Sequence, residues 1–121
     1  MRRERADTAL LWDMLDAARA VQEFISGRTI HDYRNDRMLR SAVERLIEII
    51  GEAASRLTEE FREAHPDIPW KRIVGQRNVL AHGYAELEHD LVWNVATRNL
   101  VELIDALGPL VPEPPLDDTA E

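Results

Sequence analysis

Between Met38 and Phe61, apolar side chains recur at the spacing of an α-helix on a band too broad for an ordinary surface helix. Met38, Leu39, Ala42, Val43, Leu46, Ile47, Ile49, Ile50, Ala53, Ala54, Leu57 and Phe61 supply two to three apolar groups per turn. A stripe of that width needs cover on more than one side. Two arrangements meet the need equally: a core helix enclosed within one bundle, or a helix packed on one side in its own chain and on the other against a symmetry mate. In the second arrangement Met38, Ala42, Val43, Ile50 and Ala53 are the candidate intersubunit surface.

The flanking segments carry helical periodicity as well. Leu10, Leu11, Met14, Leu15, Ala18 and Val21, extended by Phe24 and Ile25, predict a helix near residues 5–25 that breaks at Ser26-Gly27. The stretch Arg28–Arg34 is less regular and crosses between helices, with Asn35 or Asp36 able to accept the unpaired amides that begin the next helix. The phrase His65-Pro66-Asp67-Ile68-Pro69-Trp70 interrupts the long helix. Pro69 suits a first helical turn, where its missing donor costs nothing. A short third helix starts beside Trp70, with Ile73, Val74 and Leu80 packed and Arg77 at the rim of the core. The last regular segment, residues 86–107, buries Leu87, Leu91, Val92, Val95, Leu100, Leu103, Ile104 and Leu107.

The expected fold is therefore all-α, a compact bundle of four to five helices in one domain over residues 1–108. A chain of 121 residues holds one hydrophobic core and little else. Residues 109–121, with Pro109, Pro112, Pro114 and Pro115 followed by Asp117-Asp118 and Glu121, read as a flexible, acidic, proline-rich tail.

Composition narrows the chemistry. The absence of cysteine removes disulfides and thiol nucleophiles, and the four histidines lie scattered without metal-ligand spacing. The basic start Met1-Arg2-Arg3-Glu4-Arg5 is not followed by an apolar run fit for secretion, and no later run is long enough to span a bilayer. A cytoplasmic location is expected. A formal charge of −8 disfavours non-specific attraction to DNA or an anionic membrane. Cations still gather at Arg34, Arg37 and Arg40 and at Lys71, Arg72 and Arg77, so a local RNA site is compatible with an acidic fold, and so is a basic protein partner.

Chemistry concentrates in Arg77-Asn78-Val79-Leu80-Ala81-His82-Gly83-Tyr84, where a permanent cation, an imidazole and a phenol fall within eight residues. An arginine supplies the positive field a phosphodiester needs, and a histidine moves protons near neutrality. The same residues also read as structure alone: Arg77 as a solvated helix residue, His82 as a C-terminal cap and Gly83 as a helix end. In one ideal helix Arg77 and His82 would lie about 140° apart. A shared site thus requires a bend, a helix end or a second subunit. Asn78 is suited to positioning a substrate or a neighbouring side chain, or to a plain surface role.

At these residues the chain resembles the HEPN superfamily, and more closely the HepT-like toxins encoded beside MntA-like minimal nucleotidyltransferase antitoxins. Arg77, His82 and Tyr84 meet the pattern of arginine, four residues, histidine, any residue and tyrosine without departure. Ile49-Ile50-Gly51-Glu52-Ala53, the approach from Trp70 to Asn78, and Leu91-Val92-Trp93 resemble the flanks, and the similarity covers most of residues 5–108. The resemblance implies a HEPN-like helical homodimer and an endoribonuclease-like toxin with Arg77 and His82 catalytic and no metal or other cofactor for RNA cleavage. It further implies neutralisation by the antitoxin partner, which would use ATP and a divalent metal to transfer AMP to Tyr84. A non-catalytic dimeric RNA- or protein-binding module is the alternative that the residues leave open.

Overall fold

The computed structural model describes the backbone of residues 2–75 and 85–112, with side chains described for residues 6–75 and 89–112. Its regular elements are α1 (Arg2–Ile25), α2 (Ile30–Asn35), α3 (Arg37–Arg56), α4 (Glu59–Ala64), α5 (residues 70–75), α6 (Ala85–Asn94) and α7 (Leu100–Leu107). A π-helical turn, Val95–Asn99, joins α6 to α7, and a short 3-10 turn, Gly108–Leu110, closes the described chain. The all-α expectation holds.

Local chemistry sets the helix ends. Gly27, at φ 74°, takes the left-handed conformation that ends α1, and the Arg28 amide donates back to the Ile25 carbonyl at 2.9 Å. Thr29 and Asp32 form a reciprocal capping box: the Asp32 amide donates to Thr29 Oγ1 at 3.1 Å and the Thr29 amide to Asp32 Oδ2 at 2.9 Å. The bond from the Thr29 amide to the carboxyl holds Asp32 below its ordinary value of 3.8. The irregular crossing anticipated over Arg28–Arg34 thus contains the short helix α2. Asp36, of the two candidates, caps α3, accepting from the Leu39 amide at 3.0 Å.

The long second helix expected through Phe61 instead ends at Arg56. Leu57 turns extended at ψ 147°, and Thr58 caps the new helix α4 by accepting from the Phe61 amide at 3.1 Å. Asp7 fixes this break from across the molecule. Its carboxylate, only 8% exposed, accepts from both the Thr58 amide (2.9 Å) and the Thr58 hydroxyl (2.6 Å). Two bonds to an ionised, buried acceptor are among the stronger polar links a fold can make.

The core answers part of the question raised by the broad stripe. α3 packs chiefly on α1, and α7 covers a further side of α1. Val43, Ile50 and Ala53 are buried inside the chain, and Leu46 and Ile49 lie partly buried against the same core. Those three are therefore withdrawn from the candidate intersubunit surface, because their own chain covers them, while Met38, 82% exposed, faces outward. On α1, Ile25 is buried but Phe24 stands exposed, contrary to the expected continuation of the apolar face. At the other end Leu110 and Val111 pack against the core, so the proline-rich segment begins as part of the bundle; residues 113–121 lie outside the described residues.

The last helix departs from its expected buried face and contains a π turn. Leu100 N–H bonds the Val95 carbonyl, five residues back, instead of Ala96 four residues back. Val92, Ala96 and Leu100, spaced by four and four, share one buried face. Ala96 is fully buried and Leu91, expected on the buried face, is 43% exposed. The carbonyl that Leu100 abandons does not go unpaired, because Gln22 Nε2 on α1 donates to Ala96 O at 2.7 Å.

Candidate functional site

Arg77, Asn78, His82 and Tyr84, the residues expected to carry catalysis, positioning and modification, lie outside the described residues. What is described is the pair of anchors on either side of them. Upstream, α5 is seated by Trp70 and Ile73, both buried, and Trp70 Nε1 donates to the His65 carbonyl at 3.0 Å. Phe61 packs edge-on to Trp70 at 5.9 Å and against His65 at 4.5 Å. Pro69 precedes the helix as its N-cap, accepting from the Ile73 amide at 3.0 Å, one residue before the first-turn position expected of it.

Downstream, α6 is held by α2. Tyr33, completely buried, meets the His89 ring edge-on at 6.2 Å and the Trp93 ring at 5.5 Å. Beside them Arg34 Nη2 donates to Asp90 Oδ1 in an ion pair between the same two helices. Arg40 Nη1 in turn donates to the Arg34 carbonyl at 2.6 Å, placing a cation at the negative end of α2. Two members of the arginine cluster Arg34, Arg37 and Arg40 are therefore engaged in joining helices. Arg37 is exposed. In the second cluster Arg72 pairs with Glu102 at 3.7 Å while Lys71 is exposed.

Two hollows adjoin these anchors. One, of about 130 Å³, lies between the Asp67–Ile73 stretch and α7, with Arg72 and Glu102 among its lining residues. The other, of about 300 Å³, is a cleft lined by Ile30, Asp90, Trp93, Asn94, Thr97 and Arg98. Sequence reading singled out none of these six as site residues. The signal was present, however: positions 90, 93, 94, 97 and 98 follow the i, i+3, i+4, i+7, i+8 pattern of one helix face and combine an aromatic ring, an amide and a cation. Among the described residues no three His, Asp or Glu side chains converge as metal ligands, and no helix is long and apolar enough to cross a membrane.

With the anchors placed, comparison with known proteins becomes informative. The family described as "Ribonuclease HepT-like" matches residues 14–110, a span that runs from α1 through the unassigned motif to the closing turn. The chain belongs to the HepT-like ribonuclease family. Relatives of this HepT-like chain include "Putative RNase MJ1380" of Methanocaldococcus jannaschii, 38% identical over 78% of this chain and 87% of the relative. "Putative RNase TTE0752" of Caldanaerobacter subterraneus subsp. tengcongensis is also 38% identical, over 67% of this chain and 72% of its own. "Probable ribonuclease HepT" of Thermococcus cleftensis is 30% identical over 83% and 91% respectively. No solved structure matches the chain. Membership makes this chain a ribonuclease-type enzyme and accounts for the expected helical bundle, whose anchors hold the two ends of the motif-bearing segment.

Proposed function

We propose that this HepT-like chain is the toxin of a toxin–antitoxin pair, a homodimeric endoribonuclease that cleaves RNA without a metal ion. The observation that carries the reading is the family match over residues 14–110, a span that includes Arg77, His82 and Tyr84. Neutral His82 takes the proton from a ribose 2′-hydroxyl, whose oxygen attacks the adjacent phosphorus. The bond to the 5′-oxygen breaks, leaving a cyclic phosphate and a free 5′-hydroxyl, while Arg77 stabilises charge gathering on the phosphate. A second acid for the leaving oxygen comes from the imidazolium of His82 or from the partner subunit. Asn78 positions the substrate or one of these groups.

In the same proposal, an MntA-like minimal nucleotidyltransferase antitoxin transfers AMP from ATP to Tyr84, with its own divalent metal. AMP beside His82 adds bulk and negative charge where the RNA phosphate must sit. In the same proposal the protein works in the cytoplasm. The test is RNA cleavage by purified, unmodified protein in the presence of chelator, with His82→Ala and Arg77→Ala proteins checked for native helicity. Both variants should lose cleavage. Intact-mass analysis after expression with and without the antitoxin should show a partner- and ATP-dependent AMP increment at Tyr84. Growth inhibition preserved in a folded His82→Ala protein would instead identify a non-catalytic binding module.

A further inference from the structure

We propose that the cleft formed by Ile30, Asp90, Trp93, Asn94, Thr97 and Arg98 binds one unpaired nucleotide of the RNA substrate, its base against Trp93 and its phosphate at Arg98. The proposal rests on the ribonuclease reading and adds to it a subsite away from the reacting atoms. Several observations converge. Trp93 is half-buried and held by Tyr33, so it offers a ring already fixed in place, at little entropic cost to a stacking base. Arg98 is exposed and has no acidic partner among the described residues, while Arg28, Arg34, Arg45 and Arg72 are all paired. The one carboxylate in the lining, Asp90, is already matched by Arg34. Arg34, Arg98 and Asp90 together leave one net positive charge at the rim of a chain whose formal charge is −8.

The remaining polar groups suit a base edge. The Thr97 hydroxyl gives its proton to the Trp93 carbonyl at 2.8 Å, which leaves its oxygen as an acceptor. Asn94 Nδ2 leans toward Asn99 Oδ1 at 3.5 Å, leaving the Asn94 carbonyl oxygen as a second acceptor. A ring, two acceptors and a cation form a set that fits a nucleotide and would serve an acidic peptide poorly. The π turn contributes directly, because Thr97 and Arg98 lie within it, and such turns recur at functional sites. From the first residue of α6 to Trp93 the helix rises about 12 Å, so an RNA strand whose scissile phosphate lies at the motif before α6 would reach the cleft with a neighbouring nucleotide.

The test measures anisotropy of a labelled single-stranded oligouridylate with the full-length His82→Ala protein, and cleavage of the same oligonucleotide with the otherwise unaltered protein. Arg98→Gln should weaken binding roughly tenfold and lower the salt dependence by about one phosphate contact. In the cleaving protein it should raise KM and leave kcat little changed. Asn94→Ala should have a smaller effect in the same direction. Replacing the bases by abasic sites should cost roughly fivefold or more, as loss of one stacked base does. The exposed Arg19→Gln, on α1, is the control for general charge and should bind normally. If the unaltered protein cleaves RNA and Arg98→Gln and Asn94→Ala bind and cleave like it, the subsite is wrong and the ribonuclease reading stands. If the protein binds RNA through Arg98 and the bases yet never cleaves it, the subsite stands and the nuclease reading falls. Equal losses in Arg19→Gln and Arg98→Gln, or no RNA binding at all, would overturn the subsite.

Discussion

The bond from Gln22 to the Ala96 carbonyl gives a sharp test of why the last helix is built as it is. Gln22→Met keeps the length and apolar stem of the side chain and removes only the donor. Ala96 is fully buried, so its carbonyl would lose its partner in a place water reaches poorly. Leaving a buried acceptor unpaired costs about 1–3 kcal/mol. Gln22 is itself only part-buried, which favours the lower half of that range, about 1–2 kcal/mol. At the entropy of unfolding expected for a chain this size, that is a fall in Tm of roughly 3–12 °C. The assay is thermal unfolding followed by helical circular dichroism at one fixed protein concentration, because any dimerisation would make Tm depend on it. The decisive arm is the deletion of Thr97. Removing one residue from the π turn puts Val95 four residues before Leu100 and Ala96 four before Val101, so the Val101 amide takes the Ala96 carbonyl in a regular α-helical bond, leaving Gln22 nothing to satisfy. In that background Gln22→Met should cost about 0.5 kcal/mol or less, within the usual error of additivity. Equal losses in both backgrounds, or a negligible loss in the full-length chain, would refute the account of the turn.

Two further outcomes follow from the caps. Asp7→Ala should destabilise the chain by about 2–3 kcal/mol in urea denaturation, because it strips both bonds from Thr58, while Asp7→Asn, which can still accept from the amide, should lose about half as much; equal losses would assign the effect to charge. Asp32, held below 3.8 by its bond from the Thr29 amide, contributes stability that is complete above that value and is lost as the pH falls below it through the folded value. Stability curves of the wild-type chain and Asp32→Asn should therefore run apart at neutrality and converge in acid, and a constant separation would count against the capping box.

Much of the architecture could be read from periodicity, because α1, α3 and α7 owe their burial to apolar stripes that a 3.6-residue period detects. The departures come where a polar group overrides that period. Thr58 ends α3 because its side chain caps the next helix while Asp7, 51 residues away, holds its amide, and a window along the sequence cannot see that bond. Thr29 and Asp32 make a helix inside a stretch whose apolar pattern is weak, though their spacing is that of a capping box. Ala96 escaped notice because a small side chain adds little to an apolar stripe, although its spacing from Val92 and Leu100 is helical. Met38 to Ala53 showed the limit of composition in another way: width of a stripe reports how much cover a helix needs and is silent on whether the cover is its own chain. The motif around Arg77 and His82 drew attention through its spacing and falls within the family match, and its residues lie outside the described ones. The cleft at Trp93 and Arg98 was not, since its residues are individually ordinary and gain meaning from sharing a face with Ile30 of another helix.

Helix α2 has six residues, far fewer than an isolated helix needs to persist in water. Its order must be borrowed, and the lender is α6, through the Tyr33, His89 and Trp93 rings and the Arg34–Asp90 pair. Amide exchange within α2 is thus a built-in gauge of how firmly α6 is seated. An event confined to the segment just before α6, or to the cleft that α6 shares with Ile30 of α2, would register in protection of a helix that carries no part of the motif.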